Sequence, residues 1–301
     1  MVEIAICLAI IGIALVAIIG VLPLGINVQK DNRQETLIDQ DATVFLENIR
    51  NGTRGLDDLT NYVYAIANTT TGQGYTNGLA GLVGFNPAVV FPGVNNWIPF
   101  LTNGMNIIGL LSTPEYTTNV GTVAVPIPSL VFGGTSNHIV ACVRSLSGPA
   151  AEQPPQDNSI ILGDAFGYKI ICNNAPVAVD TNLFYQYPPW QAQAYTAPAM
   201  VSDIVNGQMT FWQATNDTFA TDIPGQSLVW MPAPVYNLEL TANLHELRLS
   251  FLWPLLPTGN TGNGRHTFAT TVAGRLEQTN INVSTTPWLY FFQPQSFTSA
   301  P

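Results

Sequence analysis

The chain has 301 residues, of which 9 are Lys or Arg and 19 are Asp or Glu, so 9% are charged against 47% hydrophobic, and the formal net charge is −10. Soluble domains are typically about 25% charged, so this surface must be built from uncharged polar side chains, and disorder driven by high charge is set aside. Nine basic residues cannot neutralise a long phosphate backbone, which removes nucleic acid as the main partner.

Residues 4–26 carry no charge, a run long enough to cross a hydrocarbon core of about 30 Å at 1.5 Å per residue. It is too long for a cleaved secretory signal, and the first charge, Glu3, is acidic where a signal is basic. Beyond it Ile38, Ala42, Phe45 and Ile49 recur at spacings of 4, 3 and 4 among charged residues, the pattern of a helix with one face to bury. Asn51 and Gly52 tolerate a left-handed stop. One helix is therefore expected over residues 2–50, roughly 75 Å long. Gly12, Gly20, Pro23 and Gly25 are its weak points, and local unwinding is expected near residues 12–25.

Residues 52–135 read as connections with a short helix near 56–67, punctuated by Gly, Asn and Pro. β-Branched and aromatic runs then predict strands at 121–125, 138–143, 167–172, 209–214 and 235–240. Leu247, Leu249, Phe251 and Trp253 alternate with other residues, and a Gly- and Asn-rich turn over 258–264 leads into 267–276. This predicts a hairpin with one buried face. The Pro-rich residues 148–155 read as a surface loop. The expected architecture is α+β: a long hydrophobic-then-amphipathic helix, residues 1–51, packed on a mostly antiparallel β-rich globular head, residues 52–301.

Candidate chemistry is sparse. If the downstream part is extracellular, Cys142 and Cys172 form the plausible disulfide, closing a loop of about 30 residues and contributing roughly 3–4 kcal/mol; otherwise they are two buried thiols. His138, His245 and His266 lack metal-ligand spacing, and His245-Glu246 lies in an alternating strand pattern rather than on the helix a zinc motif needs. Asp157, Asp164, Asp217 and Asp222 stand in turn-like sequence and offer oxygen ligands of the kind calcium takes, without an EF-hand pattern; no cofactor is expected. Tyr185, Tyr187, Trp190, Trp212, Trp230 and Trp288 are read as core or subunit contacts before a sugar-binding face. No nucleophile elbow, Walker loop or dinucleotide fingerprint is present, so an enzyme is not expected.

The N-terminal residues Val2-Glu3-Ile4-Ala5 and the apolar run through Pro23 resemble the start of mature type IV pilins and the pseudopilins of type II secretion. The resemblance implies a structural subunit that a prepilin peptidase processes, that is held in the inner membrane, and that pilus assembly machinery stacks into a helical homopolymer at the cell surface. A minor pseudopilin, or a filament-tip adhesin binding a sugar or secreted substrate, is the alternative. The family's early glutamate maps to Glu3, its small residue to Gly12 and its helix-breaking proline to Pro23. Glu3 would pair with a neighbouring subunit's N-terminal amine and set axial register; the alternative is a place at a lipid–water boundary, favoured by the helix dipole. Because the glutamate stands two positions early, two mature residues and a leader are expected to precede this chain, unless Met1 is a true terminus and processing does not apply.

Overall fold

The computed structural model describes residues 2–77, 86–120, 123–127, 133–147, 166–177, 186–205, 208–233, 238–256, 258–279 and 287–297. The chain begins with helix α1 (Val2–Arg50), 49 residues long. It ends as its sequence dictates. Gly52 takes φ +58°, its N–H donates to the Ile49 carbonyl, and the Thr53 N–H donates to the Asn48 carbonyl, both at 3.0 Å. This is a Schellman closure. A side chain at Gly52 would also strike the Phe292 carbonyl, so glycine lets the helix end seat against the backbone near the C-terminus.

Fifteen strands follow among the described residues. Seven form one sheet: β1 (Val63–Asn68), β2 (Gln73–Thr76), β3 (Asn96–Pro99), β7 (Ile139–Arg144), β8 (Gly167–Pro176), β12 (Leu244–Leu255) and β13 (Thr261–Ala273), in the order β13-β12-β8-β7-β1-β2-β3. All its pairs are antiparallel except β2 with β3. Three small sheets complete the set: β4 (Tyr116–Val120) between β5 (Val123–Pro126) and β6 (Thr135–Ser136); β10 (Gln208–Ala214) between β9 (Met200–Val205) and β11 (Trp230–Pro232); and β14 (Arg275–Thr279) with β15 (Leu289–Gln293).

Alternation along the strands sorts the core onto the two faces of the large sheet. On the inner face Ile66, Val143, Ile170, Leu247, Leu249 and Phe251 are fully buried. They meet the end of α1, helix α3 (Gly104–Leu111) and β15. On the outer face Ala65, Ala67, Val140 and Cys142 are covered by Val90, Phe91 and Val94, at and just after the short helix α2 (Pro87–Val90). The last helix is α4 (Leu238–Asn243).

The expected α+β architecture of a long apolar-then-amphipathic helix packed on a pilin-like head is corrected. The structure is 41% strand against 27% helical, so it is organised by sheets, and apart from α1 no described helix exceeds eight residues. Nor do the described side chains show α1 packing along its length, since among them the buried large apolar residues run only from Ile38 to Ile49. Among the described residues no helix is long and apolar enough to cross a membrane. That overturns the expected inner-membrane location.

Three local expectations also change. The helix expected near 56–67 is a 3₁₀ turn, Asp57–Asn61, followed by β1. Val-Tyr-Ala-Ile-Ala-Asn can serve as a helix locally, but here every residue is buried between β2 and β7, and tertiary pairing overrides propensity. Part of the strand expected at 235–240 is α4, and the rest lies outside the described residues. α1 runs as helix through Gly12, Gly20, Pro23 and Gly25, where unwinding was expected. Proline removes one backbone hydrogen bond, and a helix this long holds its path across that gap. The loop expected at 148–155 lies outside the described residues.

Candidate functional site

The inner end of α1 is fixed by the stripe its spacing announces. Ile38, Ala42, Phe45 and Ile49 are each no more than 1% exposed. Asp41 lies on the same face and is completely buried. Its Oδ2 accepts from the Ser145 hydroxyl at 3.0 Å, the Leu146 N–H at 2.9 Å and the Tyr168 hydroxyl at 2.8 Å, and its Oδ1 accepts from the Ser147 hydroxyl at 2.7 Å. Burying a carboxylate is tolerable only when its oxygens are saturated in this way. Burial, reinforced by the Asp41 charge and hydrogen bond, pushes the Tyr168 hydroxyl well above its ordinary pKa, so it stays a donor. One helical carboxylate thus gathers the end of β7 and the start of β8.

Arg144 shares this junction. It is 1% exposed, donates from Nη2 to the Asn61 carbonyl at 3.1 Å and lies 5.1 Å from the centroid of the Tyr62 ring. Its Nε and Nη1 have no hydrogen-bond partner, so the aromatic face is what balances the rest of the cation. A weaker tie on the exposed side joins Asp39 to His266 at 3.5 Å.

The outer end of α1 is the opposite case. Eleven large apolar side chains between Val2 and Val28 are more than half exposed. Ile10, Ile11, Ile13, Leu15 and Val16 are among them, and at 100° per residue they point all round the helix. Glu3 is exposed in this region, with no ion pair among the described residues. Gly12 and Gly25 face open space.

The other candidates are placed apart. Cys142 and Cys172 are free and buried, which corrects the expected disulfide: Cys142 faces the outer cluster and Cys172 the inner one, so the sheet lies between them. His245 lies on β12 as a strand residue, 5% exposed, with Nδ1 3.1 Å from Asn174 Oδ1 and its ring 5.3 Å from that of Phe292. Burial pulls its pKa down to about 4. Asp217 and Asp222 brace loops, accepting from the Ala197 N–H and from the Phe219 N–H and Ser227 hydroxyl. Asp157 and Asp164 lie outside the described residues, and among the described ones no three His, Cys, Asp or Glu side chains gather as a metal site would require. Tyr187, Trp212 and Trp230 are core residues, and Tyr185 lies outside the described residues.

Asp41 escaped the sequence reading. Its signal was present as a charge three residues from Ile38 and four from Phe45, on the face meant to be buried.

Fold and site together define a β-rich protein bearing one long helix, locked at its inner end and, among the described residues, exposed at its outer end. Comparison with protein-family models, with curated proteins and with solved structures found no match to this chain.

Proposed function

We propose that the chain is a structural subunit that polymerises through α1, the outer end of each helix being buried against those of other copies in a filament. The observation that carries this reading is the exposure, on all sides of the helix, of the eleven described large apolar residues between Val2 and Val28, on a helix rigidly held at its other end. A helix that is apolar on every side belongs in a core, and the described residues supply none there. Burying an aliphatic side chain contributes roughly 1.5–3 kcal/mol. Even a fraction of these eleven residues offsets an association cost of about 4–15 kcal/mol. The N-terminal resemblance to type IV pilins supports the same reading. So does the scarcity of charge on the body, because fewer desolvated charges oppose packing between subunits.

In such a core Glu3 pairs with the N-terminal amine of a neighbour and fixes axial register. The test is electron microscopy of the purified full chain beside Glu3→Ala. The native chain is expected to form helical filaments with α1 in the core, and the variant to remain folded while giving few or irregular ones. A native chain that stays monomeric under all conditions would overturn the reading. Normal filaments from Glu3→Ala would remove the register role alone.

A further inference from the structure

Among the described residues, the outer face of the large sheet is only half covered. Val90, Phe91 and Val94 close it over β1 and β7, whereas over β8, β12 and β13 it lies open as a depression of about 390 Å³. Its floor presents Ile171, Asn173, Arg248, Ser250, Arg265 and Thr267. Antiparallel register sets these side by side: Arg248 opposite Asn173, and Ser250 flanked by Ile171 and Thr267. The Ser250 and Thr267 hydroxyls are 2.8 Å apart, so one of them keeps a donor for a ligand. His138 forms part of the wall, with Nδ1 2.9 Å from the Thr69 hydroxyl, which leaves Nε2 for a ligand.

Charge gives the depression its character. In a chain with 9 basic residues and 19 acidic ones, two guanidiniums and an imidazole converge here. Arg248 is engaged, its Nε and Nη2 both 2.9 Å from Oε1 of Glu246. Glu115, in the wall, is the neighbour that raises the Tyr116 phenol's pKa. Arg265 has no carboxylate partner among the described residues. An unpaired guanidinium in a concave site offers a fork that matches a carboxylate in two parallel hydrogen bonds.

The rest of the lining limits what carries that carboxylate. Ile171 supplies the apolar contact, there is no aromatic wall, and hydroxyls and amides dominate. That suits a polyhydroxylated molecule better than an apolar or planar one. The volume lies at the small end of the ligand-pocket range of roughly 300–1,000 Å³, enough for one sugar ring.

We propose that this depression binds a sugar acid of the hexuronate type, Arg265 pairing with its carboxylate while Ser250, Thr267 and Asn173 take its hydroxyls. Without an aromatic stacking surface the affinity is expected near the millimolar range. The site is on the face opposite α1, so binding is read separately from polymerisation.

The experiment is titration of the full chain, dispersed in mild detergent, with glucuronate, glucose and acetate, followed by ligand-observed NMR and repeated on Arg265→Gln and Thr267→Val. Glucuronate is expected to bind at least about tenfold tighter than either control, to lose about tenfold or more in Arg265→Gln, and to lose less in Thr267→Val. Circular dichroism should show both variants folded, because the two side chains are exposed. No glucuronate binding, or binding unchanged in Arg265→Gln, overturns the proposal. Acetate binding as well as glucuronate reduces the site to a bare anion contact and overturns its sugar specificity; glucose binding as well as glucuronate overturns the role of Arg265.

Discussion

The two ends of α1 obey the same helical geometry and meet opposite fates. Near Ile38 to Ile49 apolar residues fall on one face among charges, and the chain buries that face against its own sheet. From Val2 to Val28 apolar residues fall on all sides, and no fold of a single chain covers a projecting rod all round. One-sided periodicity here marks the contacts the chain makes with itself, whereas the aperiodic apolar end is the part that, in the proposed filament, other copies would cover. Asp41 makes the division sharp, because its hydrogen bonds hold the inner end fixed while the outer end extends.

The contrast can be broken most strongly at the outer end. Ile13→Asp places an unpaired carboxylate in the proposed filament core and should raise the critical concentration for assembly at least about a hundredfold, measured by sedimentation, with the melting of the body unchanged. At the inner end Phe45→Ala should do the reverse, costing the body about 3–5 kcal/mol by denaturant titration. Asp41→Ala leaves the Tyr168 hydroxyl and the Leu146 N–H without their acceptor and should cost about 3 kcal/mol. A smaller, graded loosening should come from acid. His245 has a folded pKa near 4 against about 6.5 unfolded, so as pH falls below about 6.5 the unfolded state takes up the proton first. Stability should be full above that value, decline to about pH 4 by up to about 3 kcal/mol, and then level off for this group. His245→Leu should flatten that part of the profile.

Much of α1 was legible because its evidence is local. The spacing of Ile38, Ala42, Phe45 and Ile49 and the Asn51-Gly52 stop need no knowledge of the remaining chain. The β12–β13 hairpin was legible for the same reason, its alternation and turn being contiguous. β1 was missed because its six residues are buried on both sides by strands up to about 80 positions away, which gives a continuous apolar run with no period to read. Asp41 was overlooked because its partners, in the segment just after β7 and on β8, lie more than 100 residues downstream. The open depression beside Arg265 depends on the register of three strands, and register is settled only when the sheet is assembled.

The two thiols of the body carry a further consequence. With Cys142 and Cys172 separated by the sheet, and burial lifting Cys142 to about 12 and Cys172 higher still, neither holds an appreciable thiolate population near neutral pH, and the thiolate is the form that oxidants attack. The body closes without a disulfide. It needs no oxidase or isomerase to mature, and its stability should be indifferent to whether the surroundings are reducing or oxidising, so a change of redox environment would leave its strands as they were first laid down.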